Sequence, residues 1–407
     1  MHVSKVTDGV YQLSINIENM LFEGLWEIPN GVSMNSYIVK GEKTAIIDGV
    51  CGWDGVPENF FSLLKDLDVD LKTLDYVIVN HMEPDHTGWL EDLKKINPNF
   101  EIYCTKKAAP MLDAFFGYTE NIHTIKDHDT LDLGDRVLEF VEIPNVHWPD
   151  TMVTFDQKTG TLFTCDAFGS YGVVGKDNYD DMLTEEKLQW YEEEAVRYYA
   201  NIVASFSPFV DKAIKKCAGL DIKIVAPGHG IVWRENPMRI VEDYSRYVAY
   251  QKNPARKEIT LIWGSMYGMT KKAVDHAIAY LKKYEDFKVH VHEVPQTDWG
   301  QLLKSIWTSS GVVLAMPTYE YKMFPPMASA LEEIGKKKVL NRQAFRMGSY
   351  GWSGGAQKEL DEITTKYKMN WSFIEPAEFI GSPLKTDFEA IEKGLDLLVE
   401  GIEATVK

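Results

Sequence analysis

The sequence predicts two domains of different architecture: an α+β sandwich of the four-layer αββα kind over residues 1–250, and a doubly wound parallel α/β sheet over residues 258–407. Three observations predict this. Before about Tyr250, short β-rich runs are broken by loops and a few helices. At residues 251–257, Gln251-Lys252-Asn253-Pro254-Ala255-Arg256-Lys257 is polar and broken by proline, the signature of a linker. After it, strands and helices alternate regularly, the rhythm of a parallel sheet.

In the first half, Val10–Ile15, Ser36–Val39 and Thr44–Asp48 read as strands bounded by turn residues. Tyr76–Val79 reads as a buried strand, flanked by helical spacing at Asn59–Leu67 and Trp89–Lys95. Further strands are expected at Glu101–Cys104, Val137–Val141, Met152–Phe155, Thr161–Thr164 and Ile222–Val225, with a long helix at Thr184–Ser205. Phe22–Gly31 is a loop with unusual apolar content, suited equally to lining a site or a subunit contact and to packing into the core. In the second half, strands are expected at Ile259–Trp263, Val289–Glu293, Gly311–Ala315 and Ala344–Gly348. The helices are Thr270–Lys283, Trp299–Ile306, Pro326–Ile334, Ala356–Tyr367 and Asp387–Val406.

Composition narrows the function. With 407 residues, 45% of them hydrophobic and 26% charged, the chain has material for two globular cores. A net charge of -18 argues against phosphate backbones and anionic membranes as partners. No apolar run reaches a membrane span, and Met1–Gly9 lacks the core of a signal peptide, so a cytoplasmic location is expected. Cys51, Cys104, Cys165 and Cys217 are widely spaced and form no C-x-x-C pair, which leaves no rubredoxin-type iron site or zinc ribbon. They read as free thiols in a reducing compartment, small and buried.

The strand Tyr76–Val79 ends at Asn80-His81-Met82-Glu83-Pro84-Asp85-His86-Thr87-Gly88. Two imidazoles and two carboxylates within six positions can hold more than one metal ion. Pro84 argues for a bent loop there rather than a helix. His147, Asp166 and His229 each follow a strand-like run, so four ligand-bearing loops can converge on one sheet edge. Glu83 makes the set harder and more anionic than an imidazole-dominated zinc site, favouring iron. His2, His123, His128, His276, His290 and His292 lack such company and read as structural or surface residues.

In the second half, Gly264-Ser265-Met266-Tyr267-Gly268-Met269-Thr270 joins the first strand to a helix. Hydroxyls, a close-approach glycine and a helix N-terminus make a cradle for a phosphate monoester. The loop is neither G-x-G-x-x-G nor a Walker motif. Pro317-Thr318-Tyr319-Glu320-Tyr321 and Ser349-Tyr350-Gly351-Trp352-Ser353-Gly354-Gly355 follow the third and fourth strands and offer aromatic rings and backbone amides to a planar ligand.

These three loops resemble those of flavodoxin. The resemblance assigns the FMN phosphate to Ser265, Tyr267, Gly268, Met269 and Thr270, and places Tyr319 and Trp352 near the ring, with Met266, Pro317, Thr318, Ser349, Tyr350, Gly351, Ser353 and Gly354 completing the site. The first half resembles the metallo-β-lactamase fold, with Glu83 where hydrolytic members carry a histidine. The combination over the whole chain resembles the flavodiiron proteins. By that resemblance His81, Glu83 and His147 bind one iron, Asp85 and His229 the other, Asp166 bridges them, and His86 stands outside the ligand set.

The implied activity is reduction of dioxygen to water, or of nitric oxide, at a diiron centre fed by FMN. The resemblance also implies a head-to-tail homodimer, with a dimer of dimers as the larger assembly, and a subunit contact to which the Trp26 loop contributes. No rubredoxin module follows the second domain, so a separate electron donor is expected. The acidity of the chain favours reduced deazaflavin coenzyme (coenzyme F-420) over rubredoxin, which is usually acidic itself. Two other classes fit the motifs less well: a zinc hydrolase with a flavin-binding regulatory domain, and an electron carrier with a vestigial metal domain.

Overall fold

The computed structural model describes residues 2–52, 55–57, 60–176 and 178–406. The chain folds as two compact units, Met1–Ser245 and Arg246–Lys407, so the division falls within the helix Pro237–Tyr250, shortly before the expected linker.

In the first unit a seven-stranded sheet runs His2–Thr7, Val10–Ile17, Val32–Lys40, Thr44–Ile47, Tyr76–Val79, Glu101–Thr105, Ile122–Ile125. Its first four strands pair antiparallel and the rest parallel. A five-stranded sheet runs Thr130–Asp132, Val137–Glu142, Met152–Asp156, Thr161–Cys165, Ile224–Pro227. The alternation of side chains along each strand builds two cores. Tyr76 and Ile78 join Phe140, Phe163 and Ala226 between the sheets, whereas Val77 and Val79 join Trp89, Leu90 and Leu93 in an outer layer of helices. Burial on both faces explains why Tyr76–Val79 reads as an unbroken apolar run.

Strands Tyr76–Val79, Thr161–Cys165 and Ile224–Pro227, and the turn between Val137–Glu142 and Met152–Asp156, deliver their loops to one end of the sandwich. That end is cross-linked by polar contacts. The Thr154 hydroxyl donates to Asn80 Oδ1 at 2.7 Å, Met152 N–H to the Asn80 carbonyl at 2.9 Å, and Asn35 N–H to the Gly228 carbonyl at 2.8 Å.

Several elements depart from expectation. Pro84 does not bend a loop but opens a one-turn helix, Pro84–Thr87, because proline at the first helical position lacks a hydrogen that would be unpaired there anyway. The long helix runs Glu185–Tyr198 and passes through a π-helical turn, Tyr199–Val203, into a 3-10 turn, Ala204–Phe206. The helix expected from Asn59 is found as Phe60–Asp66, and Asn59 lies outside the described residues. Trp26 is buried within its own unit, its indole donating to Glu23 at 2.8 Å. Leu21 and Leu25 are the exposed large apolar residues of the same hairpin.

In the second unit five parallel strands run in the order Lys288–Glu293, Arg256–Trp263, Ser309–Ala315, Gln343–Tyr350, Ser372–Ile380. The order reverses at the first strand, the switch point where doubly wound sheets place ligands. The last strand escapes sequence reading because Pro376 interrupts it, a residue tolerated only at a sheet edge. Among the described residues no helix is long and apolar enough to cross a membrane.

Candidate metal centre

Seven side chains meet at the loop end of the first unit, in two groups. His81, Glu83, His147 and Asp166 form one; Asp85, His86 and His229 form the other. Glu83 Oε2 lies 3.2 Å from His81 Nε2 and 2.9 Å from His147 Nε2. Asp166 divides its oxygens between the groups. Its Oδ2 is 2.9 Å from His147 Nε2 and 3.4 Å from His81 Nε2, while Oδ1 is 2.9 Å from His86 Nε2 and 3.3 Å from His229 Nε2. A carboxylate shared in this way is positioned to bridge two ions.

His86 thus stands with Asp85 and His229 among the side chains that could hold an ion. Its Nε2 points inward, also 3.6 Å from Asp85 Oδ2. Gly228 makes this possible: a Cβ there would stand 2.9 Å from His86 Cε1. Local backbone is also shaped for the site. Asp48, Asn145, Cys165 and Phe168, all near the ligand loops, adopt left-handed φ values of 50°, 66°, 48° and 65°, and such strain concentrates at functional sites.

The electrostatics are those of buried carboxylates neutralised by imidazolium. Burial alone would raise Glu83, but hydrogen bonds from His147 and His81 outweigh it and hold the carboxyl at about 2. Burial opposes charging of His86 and His147, yet Asp85 and Asp166 push His86 up to about 9, and Asp166 and Glu83 push His147 to about 9. Burial also lifts Asp85, with Glu83 and Asp166 adding to the rise against the pull of His86 and His229. Behind the site Asp48, desolvated, is raised to about 6.

The donor set fits a pair of hard divalent ions. Both oxygens of Asp85 and Nε2 of His229 are buried without a hydrogen-bond partner, as ligand atoms awaiting a cation would be. The His229 Nδ1 hydrogen is committed to the Ser33 carbonyl at 3.0 Å, which leaves the Nε2 lone pair for metal. Three carboxylates among the donors favour iron over zinc. A cavity of about 460 Å³, lined by Glu23, Cys51, Gly52, Glu83, Pro84, Asp85 and Trp148, opens onto the set. Cys51 is thus a half-buried pocket residue, unlike the buried Cys104, Cys165 and Cys217.

Phe22 and Tyr198 wall off His229, their rings 5.5 and 5.6 Å from the imidazole. The Tyr198 hydroxyl is buried with no partner. Sequence reading missed Tyr198 because it sits in a helix, where an aromatic residue looks like ordinary core.

In the second unit, Ser265 Oγ accepts from Gly268 N–H at 3.0 Å, and Gly268, at φ 83°, precedes the helix Met269–Leu281. Thr270 Oγ1 and Ser349 Oγ are 3.0 Å apart, joining the first and third loops. Thr318 Oγ1 is buried without a partner. Tyr267 and Trp352 are 86% and 79% exposed, so their rings are open to a planar ligand. Paired hydroxyls at a helix N-terminus and exposed aromatic faces fit a flavin mononucleotide.

Residues 32–230 match the family model described as ODP family beta lactamase. Over 368 residues the chain is 35% identical to an anaerobic nitric oxide reductase flavorubredoxin of Enterobacter sp. (strain 638), covering 89% of this chain and 73% of that one. The chain belongs to the flavodiiron protein family. A second flavorubredoxin, from Aeromonas hydrophila, is 35% identical over 341 residues, and the chain spans only 66% of its length. Among solved structures, the rubredoxin oxygen:oxidoreductase of Desulfovibrio gigas superposes with a TM-score of 0.91 at 25% identity, covering 99% of both chains. A flavo di-iron protein of Thermotoga maritima reaches 0.88 at 28% identity, covering 98% of this chain and 99% of that one. The family's name describes a flavin and an iron pair, and the flavin loops and two donor groups of this flavodiiron chain fit both.

Proposed function

We propose that this flavodiiron protein reduces dioxygen to water at a diiron centre held by His81, Glu83, His147, Asp85, His86 and His229 with Asp166 between the ions, using electrons relayed by FMN in the second unit. The observation that carries the reading is the division of the Asp166 carboxylate between two donor groups. Two ferrous ions and one reduced FMN together supply the four electrons that conversion of dioxygen to two waters consumes. The chain's own part is to hold the ions, to admit a small molecule through the cavity beside Glu83 and Asp85, and to exclude bulk water with Phe22 and Tyr198. The Tyr198 hydroxyl, buried beside His229 and without a partner among the described residues, would be a hydrogen-bond donor at the wall of that site.

Reduction of nitric oxide is the second reading, favoured by the activity printed for the flavorubredoxin relatives. Anaerobic measurement of dioxygen and nitric oxide consumption by the reduced, iron-loaded protein separates the two. A protein isolated with two zinc ions and no iron sinks both in favour of a hydrolase.

The metal set and the flavin loops lie in different units, so we place the flavin of one copy beside the metal set of another in a head-to-tail dimer. The exposed Leu21 and Leu25 suit a contact to which the Trp26 loop contributes. An active monomer in sedimentation would remove this part of the proposal. For the electron donor, the acidic chain supports reduced deazaflavin coenzyme, while the rubredoxin printed in the Desulfovibrio structure's name supports the alternative. Stopped-flow reduction of bound FMN by each donor decides between them.

A further inference from the structure

We propose that Asp150 is a positioning residue for the metal set, a role that rests on the diiron reading. It fixes the His81 ring and the backbone between His81 and Glu83 through one carboxylate oxygen. Asp150 Oδ2 accepts from Met82 N–H at 2.8 Å and lies 3.7 Å from His81 Nδ1, a charge contact rather than a hydrogen bond. Thr151 completes the anchor. Its hydroxyl donates to the Trp148 carbonyl at 2.9 Å, which turns a lone pair to His81 Nδ1 at 3.4 Å.

Two oxygens on the Nδ1 side favour a ring hydrogen there, so that on metal binding the hydrogen lost would be the one on Nε2, the atom that faces Glu83 and Asp166. Asp150 and Thr151 are both buried, and the Thr105 hydroxyl donates to the Asp150 carbonyl at 2.9 Å, so the anchor is itself held. The contrast with His229 is informative. That ring is anchored by the neutral Ser33 carbonyl, whereas His81 faces a carboxylate, which raises the basicity of a metal-bound imidazole and favours the more highly charged metal state. Among the described residues Asp150 Oδ1 has no hydrogen-bond partner, and the residue also lines a cavity of about 740 Å³ with Lys106, Lys107 and Glu142.

The alternative is a plain turn residue whose only task is to cap Met82. D150N separates the two, because its amide oxygen can still accept from Met82 N–H. The full-length protein, stripped of metal, is titrated with Co2+ followed by visible absorption, and the midpoint potential of the iron-loaded form is measured. Positioning predicts that D150N folds with the wild-type melting temperature, binds Co2+ about 10- to 100-fold more weakly, and has a more positive iron potential. Wild-type Co2+ affinity and wild-type potential in D150N would overturn it. T151V provides a second arm should D150N not fold: a several-fold weaker Co2+ affinity supports the anchor, and an unchanged one counts against it. If the wild-type protein takes Co2+ but no iron, the diiron reading fails while the Co2+ comparison still decides the role of Asp150.

Discussion

His86 Nε2 lies 2.9 Å from Asp166 Oδ1, on the opposite oxygen from the one that faces His147. The contact makes His86 part of the second donor group with Asp85 and His229. In the His86→Asn variant we therefore expect fewer irons per chain and a changed spectrum of those remaining. Iron content equal to that of the wild type would return His86 to the surroundings of the site.

Gly228 is the reason His86 can approach. Gly228→Ala would push a methyl to 2.9 Å from His86 Cε1 and close to the Cys165 backbone. Overpacking of this kind costs about 1–3 kcal/mol. We expect a correspondingly lower denaturation midpoint for the metal-free variant, together with loss of metal from the second group. An unchanged midpoint would show that the loop relaxes freely.

The metal-free protein should be sensitive to alkali. His86 and His147 are raised to about 9 by neighbouring carboxylates, against an ordinary value near 6.5. Their ion pairs stabilise fully below that ordinary value and are lost as pH rises through about 9. Thermal stability without metal should fall over this window, while iron affinity rises because fewer protons must be displaced. Calorimetry across pH, with proton release measured on metal addition, checks both signs.

Ser265→Ala removes the hydroxyl that accepts from Gly268 N–H and, on the flavin reading, one that would bind phosphate. A hydrogen bond to a charged group is worth about 1.5–3 kcal/mol, so FMN should bind roughly 10- to 100-fold more weakly. Fluorescence titration of the apoflavoprotein measures it. Affinity unchanged by this substitution would place the phosphate elsewhere.

Tyr198→Phe deletes a buried hydroxyl that has no partner. Removing an unsatisfied polar atom should leave stability unchanged or raise it by about 1 kcal/mol. A drop in the melting temperature would mean that the hydroxyl has a structural partner after all.

Much of this was legible in the chain because its signals are local. Apolar runs such as Tyr76–Val79 and Ser309–Ala315 are strands buried on both faces, and the ligand residues follow directly where those runs stop. The turn from the first parallel strand into its helix was legible for the same reason, since Ser265, Gly268 and the helix start at Met269 are sequence neighbours. Other features were hidden because their causes are distant. Pro376 disguised the fifth parallel strand, and Phe22 packs against Tyr171 and Tyr198, far along the chain.

Residue type and the stop of a strand are properties of short segments, so the two architectures and the seven side chains that meet at the loop end of the first unit could all be named from the chain. Only the tertiary structure decided how those donors are shared. The split of Asp166 between two groups, the inward turn of His86 and the contact of Asp150 with His81 depend on loops as distant in sequence as those of Asp85 and His229 meeting at one end of a sandwich. Side-chain direction at that meeting point is set by what packs behind it, such as the absent Cβ of Gly228, and no local pattern encodes that.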